Sequence, residues 1–140
     1  MQWLLFAFLS AIFAALTSIL AKIGIKDVNS NLATAIRTTV ILIFAWGIVF
    51  AQGLGSKLGE LSRTAWIFLI LSGLATGLSW LFYFRALQLG EASKVVPIDK
   101  LSLVLTIILA GIILHEKITL PIIIGSILMT AGALVIALVK

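Results

Sequence analysis

The stretch KVVPIDKLSLVLTIILAG, residues 94–111, is apolar enough for lipid, yet it carries Pro97, Asp99 and Lys100 near its start. Adjacent residues on a helix point about 100° apart, so Asp99 and Lys100 are not expected to pair along one face. Each then needs another partner, or water. Pro97 is expected in the first turn of a helix, where its missing N–H costs little.

Working outward, the whole chain shares this character. Of 140 residues, 62% are hydrophobic and 11% charged, where a soluble domain carries about 25% charged residues. A chain this short has too little interior to hide so much apolar surface from water, which leaves the bilayer as its solvent. The net charge of +5 forms no basic stripe, since the cations stand singly between apolar runs. That excludes nucleic acid as the natural partner and points to membrane topology as their use. Cysteine is absent, which removes disulfides, thiolate nucleophiles and cysteine-ligated metals. The first apolar run has neither a basic leader nor a clear cleavage site and is expected to be a retained span.

A span needs roughly 20 apolar residues. Five segments qualify, at about 3–21, 32–51, 65–84, 95–114 and 120–139. The breaks between them, KIGIKDVNSN, QGLGSKLGELSRT, RALQLGEASK and HEKIT, carry turn and charge signals. Backbone polar groups in lipid must be satisfied within the segment, so every span is expected to be helical. The fold class is therefore an all-α integral membrane protein, one domain of five transmembrane helices. Lys57, Arg63 and Lys117 fall on the N-terminal side; Lys22, Lys26, Arg85, Lys94 and Lys140 fall on the other, with Arg37 and Lys100 just inside it. The positive-inside rule then favours an outside N-terminus and a cytoplasmic C-terminus, in the cytoplasmic membrane. Trp3, Trp46 and Trp66 gather near the N-terminal side, as an interfacial belt would.

The polar residues inside the spans are the candidates for function. Arg37, Asp99 and Lys100 would lie roughly 6–9 Å inside the hydrocarbon boundary at 1.5 Å per residue, with Arg85 capping helix three at that level. Long cationic side chains can snorkel to the headgroups. Aspartate is too short to do so, and Asp99 is expected to find a partner or a watered cavity. Arg37 is the natural partner, because an arginine fork holds a carboxylate bidentately. Ser72, Thr76, Trp80 and Tyr83 are spaced 4, 4 and 3 along helix three, which puts them on one helical face. Asp99, Ser102 and Thr106 do the same on helix four, and Ser10, Ala14, Thr17 and Ala21 on helix one. Such small and hydroxylated residues, and the Gly73–Gly77 pair, are equally the glue of helix packing in lipid. Trp80 and Tyr83 suit either a ligand or an interfacial belt. His115 and Glu116, followed by Thr119 and Pro121, fit a capped turn better than a metal site, which would need further ligands. No nucleophile–base set, phosphate loop or carboxylate pair appears, so no enzyme and no cofactor is indicated.

From Tyr83 to Leu138 the chain resembles the EamA family of the drug/metabolite transporter superfamily. The resemblance is carried by Ala86, Gly90, Ala92, Pro97, Glu116, Thr119, Gly125 and Gly132 in YFRALQLGEASKVVPIDKLSLVLTIILAGIILHEKITLPIIIGSILMTAGALVIAL. It implies one EamA-like repeat of five helices, with Pro97, Glu116, Gly125 and Gly132 in structural roles. Usual members carry two inverted repeats around a central cavity. The resemblance thus implies a half-size member that pairs with an inverted copy of itself, as a homodimer, or with a second half-size partner. The charged IDK after Pro97 departs from the commoner apolar pattern. The related small multidrug-resistance proteins use a carboxylate midway along helix one, where this chain has no acid. That disfavours a proton-coupled cation exporter, unless Asp99 takes that part.

The expectation is a membrane transporter, an exporter or exchanger of a small polar or amphipathic metabolite, acting as a dimer by alternating access. Its cavity would be lined by Arg37, Ser72, Thr76, Trp80, Tyr83, Asp99, Lys100, Ser102 and Thr106. Arg37, Lys100 and Arg85 would make one mouth electropositive, suiting an organic anion or a zwitterion. The alternative is a non-transporting membrane subunit, or a protein handling lipid-linked substrates, whose cationic ring binds anionic headgroups.

Overall fold

A computed structural model describes residues 2–138. Val139 and Lys140, the end of the fifth expected span and one of the cations counted above, lie outside the described residues. The chain is helical throughout: α1 Gln2–Gly24, α2 Ser30–Ala51, a 3₁₀ segment Leu54–Glu60, α3 Arg63–Leu89, α4 Ala92–Asp99, α5 Ser102–Ile113 and α6 Leu120–Leu138. Five stretches are long and apolar enough to cross a membrane: α1, α2, α3, the run Ala92–Ile113 through α4 and α5, and α6.

The helix ends follow local chemistry. Asn29 caps α2, its side-chain oxygen accepting from the N–H of Asn31 at 2.9 Å and of Leu32 at 3.4 Å. Beyond α2 the chain turns at Gly53, whose φ of 68° suits a residue with no Cβ. Ser62 opens α3 by accepting from the Ala65 N–H at 3.1 Å. At the end of α5, His115 takes the left-handed conformation, φ 53°. This lets the Glu116 N–H reach back to the Ala110 carbonyl at 3.2 Å. The returning loop lies so close that a Cβ on Gly111 would meet Ile118 Cδ1 at 2.5 Å.

The residues divide into two compact units, one of 1–20 with 89–140 and one of Ala21–Gln88. In the first, α4 and α5 lie against α6, where Ala133 is buried. In the second, Ile25, Phe84 and Leu87 are buried with Ser30 and Thr34. Most of the large apolar side chains are exposed instead, Phe82 by 74%. Lipid tails are as apolar as leucine, so that surface needs no cover in a bilayer.

Three expectations are corrected. The fourth span is broken: α4 ends at Asp99, and the bonds Leu101 N to Ile98 O (3.0 Å), Leu103 N to Lys100 O (3.0 Å) and Val104 N to Leu101 O (3.1 Å) are all of the tighter i to i+3 kind. Pro97 does not start this helix. The helix begins at Ala92 behind Glu91, which leaves Pro97 as its sixth residue, where the missing N–H leaves the Ser93 carbonyl without its usual donor. Arg85 does not cap α3, which runs on to Leu89. The polar Arg85 and Gln88 continue the helix because both find partners along it or beside it.

Candidate functional site

The second unit is held at one end by three side-chain hydrogen bonds to backbone carbonyls. Lys22 Nζ donates to the Leu87 carbonyl, a cation at the negative end of α3. Gln88 Nε2 donates to the carbonyls of Ile25 and Val28, and Gln88 Oε1 accepts from Arg85 Nη1 at 3.2 Å. These contacts bring the end of α3 to the turn before α2, so the start of α2 and the end of α3 share one side of the membrane.

Above that clamp sits an arginine on aromatic rings. The guanidinium carbon of Arg37 lies 3.4 Å from the centroid of Trp80 and 5.8 Å from that of Phe84. At 3.4 Å a planar group has to lie nearly flat on the ring, the arrangement in which arginine stacks on tryptophan. Trp80 is held from the side by Tyr83, edge-on at 5.4 Å, and by Phe84 at 5.7 Å. Phe84 is buried, so the rings form a fixed wall.

Arg37 is the eighth residue of α2, about 10 Å along it from the membrane side where α2 begins. Trp80 lies about 13–14 Å from the C-terminal end of α3, and Phe84 only about 7–8 Å. The guanidinium reaches both rings, Trp80 more closely than Phe84, and is held between α2 and α3.

Asp99 and Lys100, which the sequence did not pair, lie together within their unit. The cation beside Asp99 is Lys100, with Nζ to Oδ2 at 3.5 Å. The helical 100° separation no longer keeps them apart, because Asp99 is the last residue of α4 and Lys100 its cap, where the chain leaves the helix and the long lysine stem can fold back. At this break Lys100 lies at the negative end of α4 and Asp99 near the positive end of α5, both favourable. The pair stands about 10–12 Å from the start of α4, deeper than a span beginning at 95 implies.

The hydroxyl stripes are tied to their own helices. Thr76 Oγ1 donates to the Ser72 carbonyl at 2.9 Å, Thr106 to Ser102 at 2.8 Å, Thr34 to Ser30 at 2.9 Å and Ser18 to Ala14 at 2.9 Å. Their protons are thus occupied, and they offer a solute only acceptor lone pairs. The structure therefore brings together Arg37, Trp80 and Tyr83 in one unit and Asp99 and Lys100 in the other; Ser72, Thr76, Ser102 and Thr106 are exposed on their helices. Phe84 and Gln88 were missed in the sequence. The signal was present, since 72, 76, 80, 84 and 88 continue one i, i+4 stripe. Among the described residues no cluster of three metal-ligating side chains occurs.

Five apolar spans, with a cation seated on aromatic rings between two of them, define a multi-pass membrane protein. The sequence profile of the EamA-like transporter family matches residues 1–138, and the chain belongs to that family of membrane transporters. It is 50% identical over 136 residues to a Sinorhizobium sp protein described as an uncharacterized transporter in the cobO 3′ region, the match covering 97% of this chain and 96% of the relative. No solved structure matches the chain.

Proposed function

We propose that the protein exports or exchanges a small polar or amphipathic metabolite across the cytoplasmic membrane, acting as a homodimer by alternating access around a site within the bilayer. The observation that supports this reading is Arg37, a cation within an apolar span, stacked on Trp80. A charge at the bilayer centre costs about 2.5–3.5 kcal/mol on insertion scales, less near the edge, and such residues mark solute pathways. The broken span supports it too, because discontinuous helices with charged residues at the break are how transporters build sites near the midplane. A second copy is supported by what one copy leaves open: Ser72, Thr76 and Thr106 are exposed, and Gly73 and Gly77 have empty space around them.

The test is solute flux from cells or vesicles carrying the wild-type chain, Arg37→Ala or Asp99→Asn, at matched amounts in the membrane. Both variants are expected to lose flux. Wild-type flux in both would leave the alternative, a membrane subunit whose cations bind lipid.

A further inference from the structure

We infer that Arg37, laid flat on Trp80, is the binding fork for a carboxylate, and that the transported solute is an organic anion with a flat or apolar body. This rests on the transport reading above and narrows its substrate.

Stacking occupies a face of the guanidinium and none of its donors. Its five N–H groups point outward in the plane of the group, the geometry that meets both oxygens of a carboxylate. Among the described residues of its own unit, no carboxylate lies within ion-pair distance of Arg37 and no group accepts a hydrogen bond from it. An arginine at this depth with unused donors requires an acceptor. The neighbouring Thr76 cannot compete for an anion as a donor, because its proton is bound to the Ser72 carbonyl. Among the described residues around the Trp80 ring, recognition of the charge thus falls to Arg37.

Trp80 is the positioning residue. By backing the guanidinium it fixes a side chain that otherwise has four free torsions, so little order is lost when the anion arrives. Tyr83, edge-on to Trp80 and half-buried, gives the body of the solute an aromatic flank. Anionic oxygen could also come from a lipid phosphate. The aromatic wall of Trp80 and Tyr83 beside the fork favours a solute with a flat or apolar body over a headgroup.

The experiment uses full-length protein in phosphatidylcholine nanodiscs, with Trp3, Trp46 and Trp66 changed to Phe so that Trp80 is the sole reporter. Benzoate, benzyl alcohol and benzylammonium share a ring and differ in charge. Benzoate is expected to change Trp80 emission saturably and to bind at least about tenfold more tightly than the other two, as a charge-assisted bidentate contact demands. Arg37→Lys, which keeps the charge and loses the fork, should weaken benzoate several-fold while leaving benzyl alcohol unchanged. Equal affinity for benzoate and the alcohol would overturn the inference, as would tighter binding of benzylammonium, which would mean that a ligand cation takes the place of Arg37 on the ring. The same emission change on adding phosphatidylglycerol to the discs, without solute, would assign the site to a headgroup and also overturn it. Benzoate flux in proteoliposomes is read separately. Tight binding without flux would support the fork while removing the transport reading; flux indifferent to the carboxylate would do the reverse.

Discussion

His115 carries a left-handed backbone that most residues avoid, because Cβ then crowds the following carbonyl. The conformation persists because it returns the Glu116 N–H to Ala110 and closes the end of α5. Glycine adopts it freely. His115→Gly is therefore expected to stabilise the protein by about 1 kcal/mol, and His115→Val to destabilise it by more than that. Thermal unfolding in detergent, followed by tryptophan emission, measures both. If His115→Gly lowers the midpoint, the imidazole has a role beyond the turn. The sequence showed a turn here, through HEKIT and Pro121, but which residue would bear the positive φ could not be read from it. That depends on how close the returning Ile118 comes to Gly111.

Among elements, the clamp at the end of α3 determines where Trp80 stands. Gln88 reaches two carbonyls of the α1–α2 turn at once, and an apolar substitute would remove that donor from both, leaving Ile25 only its long bond from the Val28 N–H. Gln88→Leu is expected to cost about 1–3 kcal/mol, the usual penalty for an unsatisfied buried polar group, and to shift Trp80 emission as the stack with Arg37 loosens. Unchanged stability and emission would show that the turn and the site are independent. Apolar runs made the spans legible, because length and hydropathy alone decide what can cross a bilayer. The helical stripe through Ser72, Thr76 and Trp80 was legible for the same kind of reason. The partners of the charges were not. Whether Arg37 meets a carboxylate or a ring depends on which helices lie beside α2, and in lipid the packing of helices leaves little periodic trace, since every face is apolar. The break after Asp99 was hidden too: Pro97 suits a first turn, and only the earlier start at Ala92 moves it inside.

For the whole molecule, the apolar surface is the bilayer's, and the proposal gives Arg37 and its aromatic wall to a solute. Five crossings put the chain's ends on opposite sides. The excess of cations on the side where α2 begins favours a cytoplasmic position for that side under the positive-inside rule, which would place the Arg37 mouth inside the cell. Everything proposed for the site depends on this arrangement. The chain has no native cysteine, so single cysteines report it cleanly. Ser56→Cys, in the 3₁₀ segment between α2 and α3, and Lys26→Cys, in the turn between α1 and α2, are labelled in intact and in permeabilised cells with a membrane-impermeant maleimide. Ser56→Cys should label in intact cells and Lys26→Cys only after permeabilisation. Complete labelling of both positions from outside would contradict the crossing of α2, and labelling of Lys26→Cys alone would contradict the cytoplasmic position of the site.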